Sequence, residues 1–404
     1  MRPVPIRWVV MGVFVLSSSL NYLDRQILAA LAPLLKDEFR LTNADYGGVL
    51  AAFSITYAAF SPVAGLLIDR FGLNRGISFG VALWSIAGIA TGFAQGLWGL
   101  LGCRALLGAA EASGIPASAK AFHQYLQPRE RAFGPAVNQI GLSLGAIAAP
   151  PLATWLALRY GWRWAFVGAG ILGFLWIPLW LGVAKKAPVM EERRGDSPIP
   201  VSSMLRDARL WGFVAANILS MTVYTLWSNW TTLFLQTSHG LSLAQANWLA
   251  PVPLFFAYLG GLFGGWLSLR WMNGGLDALP ARMRACLVSA VALLATAAAG
   301  WTPTALLTTA AISISFFWIT AFSVNLYTMP LDAYGLERAA FGVSMLTAAY
   351  GVMQAVFSPW IGTLIDRYGY KPAILLVSVT PLAAYAALRL TQRDGARWAE
   401  KPQS

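Results

Sequence analysis

Long apolar runs separated by short polar loops recur along the whole chain. We find twelve such runs of about 20 residues or more, the length that crosses a bilayer core as a helix. They lie near 6–34, 44–68, 76–95, 97–125, 132–158, 163–184, 208–236, 243–269, 284–302, 304–330, 339–365 and 371–391. The first run lacks a small-residue cleavage site, so we interpret it as a retained helix and not a signal peptide. The pattern predicts an all-α membrane protein with twelve transmembrane helices.

The two halves of the chain share a sequence pattern. ERAFG at 130–134 reappears as ERAAFG at 337–342, and PLATWLALRYGWRWA at 151–165 aligns without gaps with PWIGTLIDRYGYKPA at 359–373. Parallel six-helix repeats are typical of transporters that hold a substrate between the halves near the midplane. We therefore predict two pseudo-symmetric six-helix bundles. The predicted domains are an N-terminal bundle at 1–184, a cytoplasmic linker at 185–207 and a C-terminal bundle with a cytoplasmic tail at 208–404.

Composition and charge agree with a membrane location. Hydrophobic residues make up 57% of the chain and charged residues 11%, whereas a soluble domain has roughly 25% charged residues. The net charge of +12 does not indicate nucleic acid, because the basic residues concentrate in alternate loops. The rule that basic loops stay inside then predicts an inner-membrane protein with both termini in the cytoplasm. Lipid binding by the basic stretch 185–194 is an alternative interpretation of part of this charge. The predicted outer loops contain only six basic residues: Lys36, Arg40, Arg159, Arg163, Arg367 and Lys371.

Four charged residues lie deep inside apolar runs of the first half: Asp24, Arg25, Arg104 and Glu111. A charge at the bilayer centre costs at least about 2.5–3.5 kcal/mol, so such residues usually pair or line a wet cavity. Arg104 and Glu111 are two helical turns apart and share one side of their helix. Arg25 suits an anion because its planar guanidinium matches a carboxylate. Glu111 suits a proton because burial destabilises its charged form whereas a neighbouring arginine stabilises that form. The alternative is that the four residues form buried ion pairs that brace the helices.

The apolar runs of the second half carry charges only near their ends, and their interiors contain several aromatic and amide side chains. A neutral wall opposite the charged one would let these side chains contact the uncharged part of a substrate. Aromatic residues at helical spacing are also common as packing and interface residues. The candidate substrate-binding residues of this half are Tyr224, Trp227, Asn325, Tyr350 and Gln354.

No pattern in the sequence indicates an enzyme or a cofactor. His123 and His239 are far apart, and Cys103 and Cys286 are the only cysteines. Two isolated cysteines form neither a disulfide framework nor a metal site. No Gly-rich phosphate-binding motif is present, so ATP-driven transport is not indicated. We therefore predict a protein without cofactor or metal that is not an enzyme.

The segment GLLIDRFGLNRG at 65–76 resembles the signature loop between helices 2 and 3 of the major facilitator superfamily. The resemblance implies that Asp69, Arg70 and Arg75 are gating residues that act between the two halves. Leu73 stands at a position that is usually basic in that family. The resemblance indicates the superfamily and leaves the substrate open.

Three longer segments resemble the anion:cation symporter family, which includes bacterial hexuronate and galactonate transporters and animal organic-anion and vesicular glutamate carriers. They are SLNYLDRQILAALAPLLKDEF at 19–39, CRALLGAAEASGIPA at 103–117 and GLSLAQANWLAPVPLFFAYLGGLFGGWLS at 240–268. The resemblance implies that Arg25 and Tyr22 hold a substrate carboxylate, that Asp24 and Glu111 carry protons, and that Arg104 lies beside them.

The sequence therefore predicts proton-coupled symport of a small organic anion, a sugar acid or another monocarboxylate, by alternating access of a monomer in the bilayer. An organophosphate exchanger would need cationic residues from both halves around a dianion, and the seventh apolar run has none in its interior. A Spinster-like carrier of lysolipids is the alternative, because the aromatic second half could accommodate an acyl chain. A membrane sensor that binds without transport is a further alternative.

Overall fold

The computed structural model describes residues 6–126, 133–186, 201–334 and 336–399, and their regular structure is helical throughout. The first half contains α1 (Ile6–Phe39), α2 (Asn43–Phe71), α3 (Leu73–Thr91), α4 (Leu97–Glu111), α5 (Gly114–Tyr125), α6 (Phe133–Tyr160) and α7 (Arg163–Ala184). The second half contains α8 (Val201–Arg206), α9 (Ala208–His239), α10 (Leu243–Leu249), α11 (Pro251–Asn273), α12 (Ala278–Ala292) with a 3₁₀ continuation (Leu293–Trp301), α13 (Ala305–Tyr334), α14 (Leu336–Tyr368) and α15 (Tyr370–Ala399).

The prediction of an all-helical membrane protein is confirmed. Within the described ranges, 10 helical stretches are long and apolar enough to cross a membrane. Two of the twelve predicted runs each divide into two α-helices: 97–125 into α4 and α5, and 243–269 into α10 and α11. The second division falls just before Pro251, which has no backbone N–H and therefore favours the first turn of a new helix.

Equivalent helices of the two halves begin in the same way. The Thr42 side chain accepts a hydrogen bond from the backbone N–H of Asp45, and the Asp45 carboxylate accepts one from the backbone N–H of Thr42. Ser242 and Gln245 form the same reciprocal capping box at the start of α10. Each box satisfies two backbone donors that a helix leaves free at its start. The repeat seen in the sequence thus extends to local structure.

The chain forms two compact units. Unit 1 contains the described residues of the first half together with Gly240–Pro251 and Ser358–Gly362. Unit 2 contains residues 201–239, Val252–Phe357 and the described residues from Thr363 onwards. Most of the predicted linker at 185–207 lies outside the described residues, and α8 forms near its end.

Close helix packing in unit 1 depends on small residues and large aromatic ones. A Cβ atom on Gly145 of α6 would lie 2.0 Å from the carbonyl oxygen of Ser19 in α1, so only glycine permits this approach. Trp176 and Trp180 stack with ring centroids 5.5 Å apart. The Trp176 Nε1 atom donates a 2.6 Å hydrogen bond to the carbonyl oxygen of Val13. These contacts fix α1 against α6 and α7, and α1 carries Asp24 and Arg25.

Candidate functional site

The centre of the candidate site is an ion pair between α1 and α4. The Arg25 Nε atom donates a 2.6 Å hydrogen bond to Oε2 of Glu111. The Glu111 side chain is completely buried, whereas 26% of the Arg25 side chain is exposed. The second carboxylate oxygen of Glu111, Oε1, has no hydrogen-bond partner. The arginine therefore joins a sealed carboxylate to an accessible surface of unit 1.

Three aromatic rings surround the Arg25 guanidinium. Its Cζ atom lies 5.3 Å from the ring centroid of Tyr22, 4.7 Å from that of Phe53 and 4.9 Å from that of Tyr57. Phe53 and Tyr57 are one helical turn apart on α2, and their rings stack at 5.6 Å. Each ring attracts the cation electrostatically, by about 0.5–2 kcal/mol depending on exposure. The rings hold the guanidinium plane in place and limit its contact with water.

Asp24 and Arg104 are buried close to this pair but do not join it by hydrogen bonds. Only 3% of Asp24 and 2% of Arg104 is exposed. Asp24 Oδ1 and Arg104 Nε have no hydrogen-bond partner, and the Arg104 guanidinium lies 5.6 Å from the ring centroid of Phe166. Asp24 Oδ1 lies beside Gly88 of α3, where a Cβ would be 3.9 Å away. Asp24 and Arg25 thus leave α1 in different directions, as expected of adjacent helical residues.

A close contact between α2 and α4 sets the distance from the aromatic rings to Glu111. A Cβ on Gly108 would lie 2.2 Å from the carbonyl oxygen of Phe53 and 2.4 Å from Oγ1 of Thr56. Only glycine allows two helix backbones to approach this closely. Gly108 is one turn before Glu111, so the same contact brings the carboxylate and the Phe53 ring within reach of one guanidinium.

Sequence reasoning missed Phe53 and Tyr57. Their spacing of four residues places them on one side of α2, which was the available signal. Aromatic residues are so frequent in this chain, with 18 Trp, 13 Tyr and 21 Phe, that spacing alone does not distinguish these two. Only the fold reveals that they contact Arg25.

The candidate residues of unit 2 differ in accessibility. Tyr224 is half-buried, with its ring perpendicular to that of Phe316 at 5.4 Å. Trp227 is 1% exposed and packs against Phe234. Asn325 is fully buried, and its Nδ2 donates to the carbonyl oxygens of Gly264 and Ala321, each at 2.9 Å.

The geometry of Asn325 and Trp227 is that of packing residues in this conformation, so we leave both out of the site proposed below. Tyr350 and Gln354 lie one turn apart on α14, and both are partly exposed. Together with Tyr224 they remain the accessible polar candidates of this unit.

The loop with the superfamily signature has a defined backbone. Gly72 separates α2 from α3 with a φ of 81°, a left-handed conformation that glycine adopts without strain. The Lys120 Nζ atom donates a 3.0 Å hydrogen bond to the carbonyl oxygen of Ile68 near the end of α2. Arg70 and Arg75 are exposed. Asp69 belongs to α2, but its side chain lies outside the described part of the structure.

Among the described residues, no group of three or more His, Cys, Asp or Glu side chains is arranged to hold a metal ion. What the described site offers chemically is a fixed guanidinium for an anion and a sealed carboxyl group for a proton.

Comparison with known proteins gives a consistent result. The family model described as Major Facilitator Superfamily matches residues 14–344. The chain is 28% identical over 399 residues to the hexuronate transporter of Escherichia coli K12, covering 93% of this chain and 92% of that protein. It is 29% identical over 282 residues to the galacturonate transporter of Dickeya chrysanthemi, covering 65% of this chain and 82% of that one.

A solved structure has the same fold. It is a bacterial homologue of the human lysosomal transporter Spinster, described as inward-facing and unoccupied. It superposes with a TM-score of 0.73 and 20% identity, covering 96% of each chain. At this identity the likeness shows the fold alone.

Proposed function

Because the chain belongs to the Major Facilitator Superfamily, we propose that it carries a small organic anion, a sugar acid or another monocarboxylate, together with a proton across the inner membrane. The membership rests on a family match over residues 14–344. Support for the substrate class comes from relatives named for hexuronate and galacturonate. The observation that carries the proposal is the Arg25–Glu111 pair enclosed by aromatic rings.

Arg25 is the proposed anion-binding residue. It keeps its charge at any physiological pH, and the terminal nitrogens of a guanidinium match the two oxygens of a carboxylate. The hydrogen bond to Glu111 uses Nε, and the terminal nitrogens are the atoms that we propose to bind the substrate carboxylate. Tyr22, Phe53 and Tyr57 hold the guanidinium in a fixed orientation, and this reduces the entropy that binding would otherwise cost.

Glu111 is the proposed proton carrier. When a substrate carboxylate binds Arg25, Glu111 loses its share of the only cation to which it is hydrogen-bonded. A buried carboxylate without a counter-charge costs several kcal/mol, on the order of the desolvation penalty of one ion, so Glu111 then takes up a proton. Anion and proton therefore enter as a neutral pair. Asp24 and Arg104 are proposed to act on the same protonation through their buried charges.

Several further features of the proposal come from sequence and topology. The second half has no buried cation in its apolar runs, which favours a single carboxylate over a phosphate dianion. Tyr224, Tyr350 and Gln354 are the proposed neutral contacts to the rest of the substrate. Asp69, Arg70 and Arg75 are the proposed gating residues. We also propose that both termini are cytoplasmic, because most basic loops would then lie inside.

No observation favours the lysolipid alternative specifically. The likeness to Spinster structures lies at 20% identity and concerns the fold. The relatives named for hexuronate and galacturonate favour a sugar acid. We therefore keep the sugar-acid proposal.

The test is uptake by purified protein in liposomes with an inward proton gradient. Labelled D-galacturonate, D-glucuronate, D-galactonate and a lysophospholipid form the substrate panel. We expect accumulation of at least one sugar acid, and its loss when a protonophore dissipates the gradient. Accumulation of the lysolipid alone, or uptake of acids that ignores the gradient, would overturn the proposal.

A further inference from the structure

Asn21 is a buried amide that has no role in the transport chemistry proposed above. It lies in α1, and only 7% of it is exposed. Asn21 precedes Arg25 by four residues, so the two side chains are neighbours on one side of the helix. An amide carries two donor hydrogens and an acceptor oxygen, and buried groups of this kind are normally paired in a folded protein. A partner for Asn21 should therefore lie close to Arg25.

The partner within reach is Glu111 of α4. The Asn21 amide interacts with the Glu111 carboxylate, while the Arg25 Nε atom bonds to Oε2 of the same group. The other oxygen, Oε1, is buried without a hydrogen bond. All three side chains belong to unit 1. The amide thus lies beside a carboxylate that still has one free oxygen.

Four titratable or charged side chains also act on the Glu111 carboxylate. Arg25 and Asp24 approach from α1, Arg104 lies on α4 itself, and Tyr57 belongs to α2. Both guanidinium groups favour the charged carboxylate. An arginine has only donors, so neither guanidinium can accept a hydrogen bond from a protonated Glu111.

An amide can serve both protonation states of a carboxyl group. Its nitrogen donates to a carboxylate oxygen, and its carbonyl oxygen accepts from a carboxylic O–H. The two arrangements differ by a half-turn about the last side-chain bond of asparagine, a torsion with two broad ranges. An amide does not titrate, so, unlike Asp24, it does not compete with Glu111 for the proton. Asn21 therefore has the chemistry that the two arginines lack.

We propose that Asn21 is a positioning residue for the proton on Oε1 of Glu111. Its Nδ2 atom donates to Oε1 while Glu111 is charged, and its Oδ1 atom accepts from the Oε1–H group after Glu111 has taken up a proton. The step adds one proton to Oε1 and changes no covalent bond of Asn21. Oε2 keeps its orientation towards Arg25. This role rests on the proposed function, because it requires Glu111 to be the proton carrier.

Infrared difference spectroscopy of the purified protein tests this role without any substrate. A carboxylic acid has a C=O band that its carboxylate lacks, and the band moves to higher frequency when a hydrogen bond is lost. In spectra recorded over a pH titration, the Glu111 band is the one that is absent from Glu111→Gln. We expect Asn21→Leu, which removes the amide and keeps a similar volume, to move this band to higher frequency.

The titration midpoint of the same band provides a second measure. In Asn21→Leu it should move to higher pH by about one unit. The reason is that a donor stabilises a charged carboxylate more than an acceptor stabilises a neutral carboxyl group. If Asn21→Leu does not fold, as judged by its thermal unfolding midpoint, the same shifts are expected of Asn21→Ala.

Two further variants separate positioning from packing. Asn21→Thr supplies a hydroxyl group, which both donates and accepts, and should bring the frequency and the midpoint at least halfway back. Ser18→Ala is the matched control, because it removes a polar side chain from the same part of α1 whose hydroxyl donates to Asn138 Oδ1 at 2.6 Å. The control should leave the Glu111 band unchanged.

Uptake into liposomes connects the spectroscopic result to transport. We expect Asn21→Leu to lower accumulation of labelled D-galacturonate driven by a proton gradient about tenfold, because Glu111 then releases its proton about tenfold less readily. Exchange of labelled for unlabelled acid should stay within about threefold of wild type. Ser18→Ala should match wild type in both assays.

A Glu111 band that Asn21→Leu leaves in place, or that Ser18→Ala moves equally, would overturn the role of Asn21 while the proposed function stands. Absence of a titrating Glu111 band from the wild-type protein would instead contradict Glu111 as the proton carrier, and with it the proposed function.

Discussion

The Arg25 Nε atom bonds to Glu111 Oε2 at 2.6 Å, although the two residues are 86 positions apart in sequence. Asp24, the immediate neighbour of Arg25, has no hydrogen bond at Oδ1. The pair combines a partly exposed cation with a completely buried carboxylate. An anion can reach Arg25 without contacting Glu111. This difference in exposure is why we expect Arg25 to bind the anion and Glu111 to carry the proton.

Replacing Glu111 by glutamine should separate anion exchange from proton coupling. Glutamine keeps the shape and the acceptor oxygen but cannot bind or release a proton. We expect Glu111→Gln to abolish accumulation driven by a proton gradient while exchange of labelled for unlabelled acid remains within about threefold of wild type. Uptake and counterflow in the same liposomes measure both. Accumulation at the wild-type level would contradict the proposed role of Glu111.

Two substitutions of Arg25 should have different effects, one on KM and the other on the stability of the fold. Arg25→Lys keeps the charge but loses the planar pair of donors, worth about 1.5–3 kcal/mol, so KM should rise about 10- to 150-fold. Arg25→Ala leaves Glu111 buried without its counter-charge and should cost about 3–5 kcal/mol of stability. Adding Glu111→Gln to Arg25→Ala should recover the thermal unfolding midpoint but not uptake. Normal transport by Arg25→Ala would exclude the anion site.

The aromatic ring of Phe53 should contribute to affinity. Phe53→Leu keeps an apolar side chain but removes a cation–π contact of about 1–2 kcal/mol, which corresponds to about a five- to thirtyfold rise in KM. Tyr160→Leu is the matched control, since Tyr160 makes a similar contact with Arg159 at an exposed site. Initial uptake rates over a range of substrate concentrations measure both variants. Equal KM values for the two would show that the ring near Arg25 is only packing.

A methyl group on Gly108 should disturb the site through the backbone. Its Cβ would overlap the carbonyl oxygen of Phe53, so α2 must move away from α4 and take the aromatic rings with it. We expect Gly108→Ala to lower uptake at least tenfold. Gly102→Ala on the same helix is the control, because nothing lies within 4 Å of its Cβ position. Uptake normalised to the amount of protein in the liposomes distinguishes the two, and equal rates would contradict this role.

The Asn325 side chain should contribute to the stability of the fold and not to substrate affinity. Asn325→Ala removes the donor to the carbonyl oxygens of Gly264 and Ala321, a loss of about 1–3 kcal/mol for buried groups. We expect a lower unfolding midpoint in detergent and a KM within about twofold of wild type. A KM raised tenfold at unchanged stability would return Asn325 to the substrate site.

Much of the fold could be predicted from the sequence. The resemblance to sugar-acid transporters, based on segments such as 19–39 and 103–117, is confirmed by relatives that cover 93% of the chain. Burial of Asp24, Arg104 and Glu111 was also expected from their positions in apolar runs. These predictions succeed because hydrophobic runs and helix signals are local properties of the chain.

The sequence by itself determined the helices, the membrane environment, the superfamily and the four charges of the first half. Only the tertiary structure decided that Glu111 pairs with Arg25 and that Phe53 and Tyr57 enclose the guanidinium. The physical reason is that helical periodicity fixes the direction of a side chain around its own axis. Which side chain it meets depends on packing between helices far apart in sequence, and glycine contacts such as that of Gly108 set this packing.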